Sequence, residues 1–252
     1  MPDAGPAFTV KLAETAHDRR AAQELRYEVF VRELGGGGAL VDHDAGLERD
    51  RFDSFGDHLL LWDQSIGRLA GVYRLMRADQ AEEAGQFYSE SEYDLDLLKQ
   101  SGKRLLELGR SCLHPEYRGG TAMMHLWNGL AQYVSAHGIE LLFGVASFHG
   151  TDARALAGPL SLLHRSHLAP PELRVRARAE HYQRMDLVPP DEIDRKAAMV
   201  QVPALIKAYL RLGGVVGDGA FVDHAFNTTD VCLILDTGRL NAQAARLYTG
   251  GR

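Results

Sequence analysis

Only two cysteines occur in 252 residues, Cys112 and Cys232, each between apolar neighbours in strand-like segments. That excludes a disulfide framework and leads us to expect buried free thiols in a reducing compartment. No apolar run approaches the roughly 20 residues that span a bilayer. The first residues, MPDAGPAFTVKLAET, lack the basic and apolar regions of a secretory signal. Neither C-x-x-C nor H-E-x-x-H occurs beside His149, Asp152, His164 and His167, so no metal is expected. Ser147 lacks the flanking glycines of a nucleophile elbow, which argues against a serine hydrolase. A surplus of positive charge is also missing. The net charge of −6 argues against a general nucleic-acid binder. There is no internal repeat.

What is present is an ordinary globular composition, 45% hydrophobic and 25% charged, in a chain long enough to bury a large core. Alternation predicts a strand over Phe8 to Ala13. Ala21, Leu25, Val29 and Phe30 then recur at helical spacing within residues 17–34, up to the run Gly35 to Gly38. His58 to Asp63 and Gly67 to Met76 read as a hairpin, and residues 103–115 as a long strand. A helix over Thr121 to His137, a strand over Glu140 to Phe148 and a helix over Asp152 to His167 follow. A last helix from Pro203 to Leu212 precedes strands near Val215–Val222 and Val231–Asp236. Between residues 79 and 99 seven acidic residues face one lysine, a pattern usual for a solvated face. The strand–helix–strand centre among hairpins points to a mixed α/β sheet in a single domain.

The segment Pro115-Glu116-Tyr117-Arg118-Gly119-Gly120 lies between the central strand and its helix. A glycine pair at a helix start lets backbone N–H groups approach an anion, and the helix dipole and Arg118 add positive potential there. A pyrophosphate or a phosphopantetheine arm requires such a place. The same glycines equally suit a tight turn on geometry alone, and the pattern is neither a Walker loop nor a dinucleotide fingerprint. In its context, however, strand, P-x-x-R-G-G-x-A and helix resemble the acyl-CoA-binding turn of the GCN5-related N-acyltransferase (GNAT) fold. The resemblance implies an α/β (α+β) architecture: a mixed, mostly antiparallel central sheet flanked by helices, with splayed central strands. It also implies pantetheine contacts from Leu113, Arg118, Gly119, Gly120 and Thr121.

A second, spaced series narrows the family: Arg26-x-x-x-Phe30, Glu48-x-Asp50-x-Phe52-Asp53, Arg74, and Glu107-Leu108-Gly109-Arg110. It resembles the acyl-homoserine-lactone synthases, which share that order. It is still more similar to the L-ornithine Nα-acyltransferases, which make lyso-ornithine lipid from a 3-hydroxyacyl carrier protein. LELGRSCLHPEYR, LWNGLAQYV, FGVASFHG, ALIKAYLRLGG and DHAFNTTDVCLILDTGRL read like that family, and the likeness runs over nearly all of residues 8–248. Where the lactone synthases carry a tryptophan, this chain has Leu34 and four glycines. It also has an additional helical and basic region near residues 150–212. Both departures favour the ornithine type.

The resemblance implies one GNAT-like domain over residues 1–252 that transfers a 3-hydroxyacyl group from acyl carrier protein to the α-amine of L-ornithine. No tightly bound cofactor is implied, since the donor brings its own phosphopantetheine. It implies a cytoplasmic enzyme with peripheral contact to anionic membrane and no nucleic-acid partner. The rivals are another amine acceptor, an acyl-CoA donor, or a non-catalytic module binding acyl carrier protein or lipid.

The chemistry needs a base, because an α-amine is mostly protonated at neutral pH. Glu107, among Leu105, Leu106 and Leu108, is the candidate, since burial raises a carboxyl's pKa; the rival role is a structural pair with Arg110. Arg26, Arg74 and Arg110 offer bidentate donors for an α-carboxylate, while Asp50 and Asp53 suit the ornithine side-chain ammonium and Phe30 completes the acceptor set. A buried ion-pair network is the equal alternative. The oxyanion donor falls to a backbone N–H near Ser111 to Leu113. Arg165, Arg174, Arg176, Arg178 and Arg184 oppose only Glu172 and Glu180, a patch that either docks an acidic carrier protein or anionic headgroups or is plain solvated surface. Leu160, Leu162 and Leu163 line the acyl chain or belong to the core.

Overall fold

The computed structural model describes residues 5–38 and 41–240, and the chain divides into two compact units. Among the described residues, one comprises those up to Gly85 together with Leu108–Gly138; the other comprises Gln86–Glu107 and residues 139–240.

In the first unit the alternating FTVKL forms β1 (Phe8–Leu12). Thr15 then starts helix α1 (Ala16–Arg26) with a capping box: its hydroxyl accepts from the Asp18 amide at 3.1 Å, and the Asp18 carboxylate accepts from the Thr15 amide at 3.2 Å. The helix expected to reach Leu34 changes pitch. Tyr27–Glu33 is a π-helix, and the turn is closed by Gly35 at φ +72°. The expected hairpin is present as β2 (Asp57–Asp63) and β3 (Arg68–Arg77), antiparallel, with a bulge at Leu61/Trp62. β1 pairs antiparallel with β2. The central strand β4 (Leu105–Leu113) lies beside β3 and leads into α2 (Ala122–His137). Ala22, Leu25, Val29, Leu60, Leu69, Val72 and Cys112 form one apolar cluster here, with Phe30 and Trp62 packed against it.

In the second unit β5 (Leu141–His149) runs parallel to β4, joined to it through α2. Their pairing covers only Leu105↔Leu141, Leu106↔Leu142 and Glu107↔Phe143, whereas on its other side β5 pairs with β9 (Thr228–Asp236) over nine residues. Helix α3 (Ala157–His167) starts later than Asp152 because Asp152 to Leu156 are taken up in turns. β6 (Tyr182–Gln183), helix α4 (Ala204–Arg211), β7 (Val215–Val216) and β8 (Ala220–Asp223) complete the set. The single strand read over Val215–Val222 is split because Gly219 turns at φ +78°. Helix Arg195–Gln201 has no counterpart in the sequence reading; Asp194 caps it by accepting from the Lys196 and Ala197 amides. The acidic stretch from Asp79 is less solvated than its charge suggests, since Glu92 is buried. No helix among the described residues is long and apolar enough to cross a membrane.

Candidate active site

Asp50 caps the 3-10 turn Arg51–Ser54, accepting from the Phe52 amide at 2.8 Å, and this local loop turns both Asp50 and Asp53 toward the end of α1. There Arg26, with no exposed surface, holds Asp53 in two parallel hydrogen bonds of 2.7 and 3.1 Å and donates through Nε to Glu48. Glu48 also accepts from Arg110 Nε at 3.1 Å, and Arg110 Nη2 lies 3.0 Å from Asp50 Oδ2. Arg74 closes the circle, donating from Nη1 to Asp50 at 2.5 Å and to Asp53 at 2.9 Å. Three guanidinium groups and three carboxylates therefore alternate in a closed, charge-neutral ring: Arg26, Glu48, Arg110, Asp50, Arg74, Asp53.

Burial alone would push the Asp53 carboxyl up, but Arg26 and Arg74 hold it well below the usual carboxylate range. Asp50 follows the same logic, with Arg74 and Arg110 overcoming its burial. Both stay ionised, so the ring is permanently charged in its parts and neutral as a whole. His58 braces it from β2, its Nε2–H donating to the Asp53 carbonyl at 3.0 Å, and burial pushes the imidazole toward the neutral form.

The ring is not equally deep. The Arg26 and Arg74 side chains are 0% and 2% exposed, against 13% for Arg110. Arg110 also sits at φ +49°, the left-handed region that non-glycine residues seldom occupy. Arg26 and Arg74 are thus the buried cations of the ring and Arg110 its shallowest one, while the Asp50 and Asp53 side chains are alike in depth, at 6% and 7% exposed. Asp50 Oδ2 has no hydrogen-bond donor aligned on it.

Beyond β4, Arg118 reaches back along the turn, with Nε and Nη2 each 3.2 Å from the Leu113 carbonyl. Its other edge makes a bidentate pair with Glu33, at 2.5 and 2.6 Å. Gly119 adopts φ +76°, which explains glycine there on conformational grounds. Thr121, at the N-cap of α2, makes no side-chain capping bond, and the first turn of this 16-residue helix carries no acidic residue. The positive end of its dipole is left uncompensated by the chain itself.

Glu107, described within the second unit, is 3% exposed. Its two oxygens accept from the backbone amides of Tyr88 and Ser89, at 2.9 and 2.6 Å, which clamps the turn Tyr88–Ser91. Arg110 is engaged with Glu48 and Asp50. The thiols are core groups: burial pushes Cys112 up to about 12 and Cys232 further still, which removes both as nucleophiles.

The basic stretch is less free than its count suggested. Arg176 pairs with Asp218, Arg184 with Asp186, and Arg174 and Arg178 bond the carbonyls of Ala169 and Glu90. Leu160, Leu162 and Leu163 are core, at most 2% exposed. The sequence reading assigned no role to His58, to Glu33, whose partner Arg118 is distant in the chain, or to Gln23, which donates to Asp53 Oδ2 at 3.0 Å from 30 residues away. Glu48 stood in the motif series without an assignment, and the structure places it at the centre of the ring.

The acetyltransferase (GNAT) domain family matches residues 25–128, which hold the ring and the Arg118 turn. An L-ornithine N(alpha)-acyltransferase of Rhodobacter capsulatus is 56% identical over 254 residues, covering 99% of this chain and 97% of that protein. One from Brucella abortus is 44% identical, covering 96% and 89%. Among solved structures, the acyl-homoserine-lactone synthase LasI superposes with a TM-score of 0.54 at 15% identity, covering 98% of this chain and 97% of that one. The CoA-dependent lactone synthase BjaI gives 0.55 at 13%, covering 97% and 89%. At that identity the likeness concerns the fold alone.

Proposed function

The chain belongs to the L-ornithine N(alpha)-acyltransferase family, and from that membership we propose that it moves a 3-hydroxyacyl group from the phosphopantetheine thiol of an acyl carrier protein to the α-amine of L-ornithine. The enzyme is an acyltransferase whose acceptor is ornithine; the carrier protein and the hydroxyacyl chain are the finer part of the proposal. The observation that carries the reading is the 56% identity sustained over 99% of the chain.

The ring's chemistry supports an amino-acid acceptor. A zwitterion presents a carboxylate and ammonium groups, and the ring's shallowest guanidinium, Arg110, is paired with the carboxylate of Asp50. We assign Arg110 to the α-carboxylate and Asp50 to the side-chain ammonium. Arg26 and Arg74, with Asp53 between them, fix those two groups in place. Phe30 is packed against the core cluster and shapes the wall behind α1.

On the donor side, Arg118, Gly119, Gly120 and Thr121 would face the phosphodiester of the pantetheine arm, combining a cation with the N-terminus of α2. The neutral amine then attacks the thioester carbonyl carbon. An N–H of the Ser111–Leu113 segment stabilises the resulting oxyanion. The C–S bond breaks, the thiolate leaves and is protonated, and the amine's proton passes to a base. That base is Glu107, the buried carboxylate of β4.

The test is mass spectrometry of purified protein incubated with 3-hydroxypalmitoyl carrier protein and a mixture of amino acids including ornithine. The expected product is N-acyl-ornithine alone. Acylation of another amine would overturn the acceptor, and turnover only with the coenzyme A thioester would overturn the donor.

A further inference from the structure

Arg118 is expected to greet an anion, yet both Nη atoms are already engaged by one of the chain's own carboxylates. Glu33 is the last residue of the π-helix, 85 positions away in sequence, and its two oxygens take the fork geometry that a phosphate's oxygens would take. Meanwhile the Leu113 carbonyl accepts from Nε and Nη2, so the guanidinium keeps a tether whether or not Glu33 is present. The pair is also open to water, with side-chain exposures of 41% and 36%. Exposed ion pairs of this kind contribute little stability, and exchange readily.

We propose that Glu33 is an internal stand-in for the phosphodiester of the donor arm: it occupies Arg118 in the free enzyme and is exchanged for that phosphate when the acylated carrier protein binds. This rests on the reading of the Arg118 turn as the donor site. The incoming phosphodiester has an advantage that Glu33 lacks, since it can also meet the uncapped first turn of α2. The Arg118 guanidinium holds the Glu33 carboxyl below the usual carboxylate range, so the group is ionised throughout the neutral range and the exchange is anion for anion. Glu33 is accordingly a positioning residue. It keeps Arg118 extended and ready while lowering the apparent affinity for the arm.

The experiment compares binding of holo carrier protein, which has the phosphopantetheine arm, with apo carrier protein, which lacks it. Wild type, Glu33→Gln, Arg118→Gln and Glu28→Gln are titrated by calorimetry. Glu28 lies on the same helical segment, paired with Arg32, and its substitution makes the same change in net charge. We expect Glu33→Gln to bind the holo form about two- to fivefold tighter, as removal of a weak competing pair allows. It should leave the apo form unchanged and lower KM for the acylated carrier at unaltered kcat. Arg118→Gln should bind the holo form more weakly. Equal tightening of holo and apo forms, or the same tightening by Glu28→Gln, would mean a net-charge effect and overturn the exchange. An unchanged Glu33→Gln beside a weakened Arg118→Gln would also overturn it, while leaving the donor site standing. If Arg118→Gln binds like wild type, the donor-site reading itself fails.

Discussion

Arg26 donates to Glu48 and Asp53, and it shares Asp53 with Arg74, the ring's other deeply buried cation. In a buried network each member is expensive to remove, because what remains is an uncompensated charge, at a cost of about 3–5 kcal/mol. Their partners separate the roles of the two aspartates: Asp53 pairs with the buried Arg26 and Arg74, Asp50 with Arg74 and the shallower Arg110. Asp53→Asn should lower stability in denaturant titration more than Asp50→Asn. Asp50→Asn should instead raise KM for ornithine, by roughly tenfold or more for one lost charged contact. Equal effects of both on KM would sink that assignment. For Glu107→Gln we expect kcat to fall by about 10²-fold or more with the acid limb of the pH–rate profile lost. A kcat deficit that merely matches the unfolded fraction would reduce Glu107 to its clamp on Tyr88 and Ser89. Acid sensitivity follows from the same residues. Burial lowers His58 in the folded protein, so the unfolded chain takes the proton first, and its contribution is complete above pH ~6.5 and falls as pH drops through that value. Asp50 and Asp53 are lowered too, which adds a second loss below pH ~4. Unfolding free energies measured from pH 8 to 3 should show both phases, and His58→Gln should lack the first.

Helix α2 crosses close to β1, and one position permits it. A Cβ on Gly129 would stand 2.5 Å from Val10 Cγ1 and 3.5 Å from Leu59 Cδ1. Val10 is β-branched and held in a paired strand, so it yields little. Gly129→Ala, which should favour the helix by propensity, is expected to destabilise by about 1–3 kcal/mol through overpacking, read in thermal or chemical unfolding. Neutral or raised stability would show that helix and strand can part at no cost. β4 works in the opposite manner. Its pairing with β5 ends at Glu107, and three residues later Arg110 leaves the ordinary strand conformation at φ +49°. The turn in the backbone re-aims its side chain toward Glu48 and Asp50, as bulges beside active sites do. A spacing of three along a regular strand would put Glu107 and Arg110 on opposite faces.

At the scale of the whole chain, both thiols are buried with raised proton affinity, Cys112 in the first compact unit and Cys232 in the second. A covalent acyl-cysteine is therefore not available, and transfer should be direct. Incubation with 3-hydroxyacyl carrier protein alone should leave the intact mass of the enzyme unchanged, with no burst of free carrier thiol until ornithine is added. A stable acyl adduct would refute direct transfer. The net charge of −6 gives no general attraction for an acidic partner, and in the region 150–212 Arg176 and Arg184 are paired with Asp218 and Asp186. Recognition of the donor then falls on local features such as the Arg118 turn.

Much of this was legible in the sequence. Periodicity located β1, the β2–β3 hairpin, β4, α2, β5, α4 and β9, because each buries one face or both and its pattern records that. The motif series identified the family and all six members of the ring, since arginine and carboxylate at buried positions are too costly to occur without partners. Other features depend on contacts between segments far apart in the chain. Periodicity of 3.6 cannot distinguish α1 running on to Leu34 from a π-turn at Tyr27, because both bury the same residues. Burial among leucines said nothing of the two amides that meet Glu107, which belong to a turn 18 and 19 residues earlier. Nor does any local pattern join Glu33 to Arg118 or make Arg110 the shallowest cation of the ring. The sequence determined which charges are present and that they must be paired; only the tertiary structure decided who pairs with whom, because pairing depends on distance in space and depth from water.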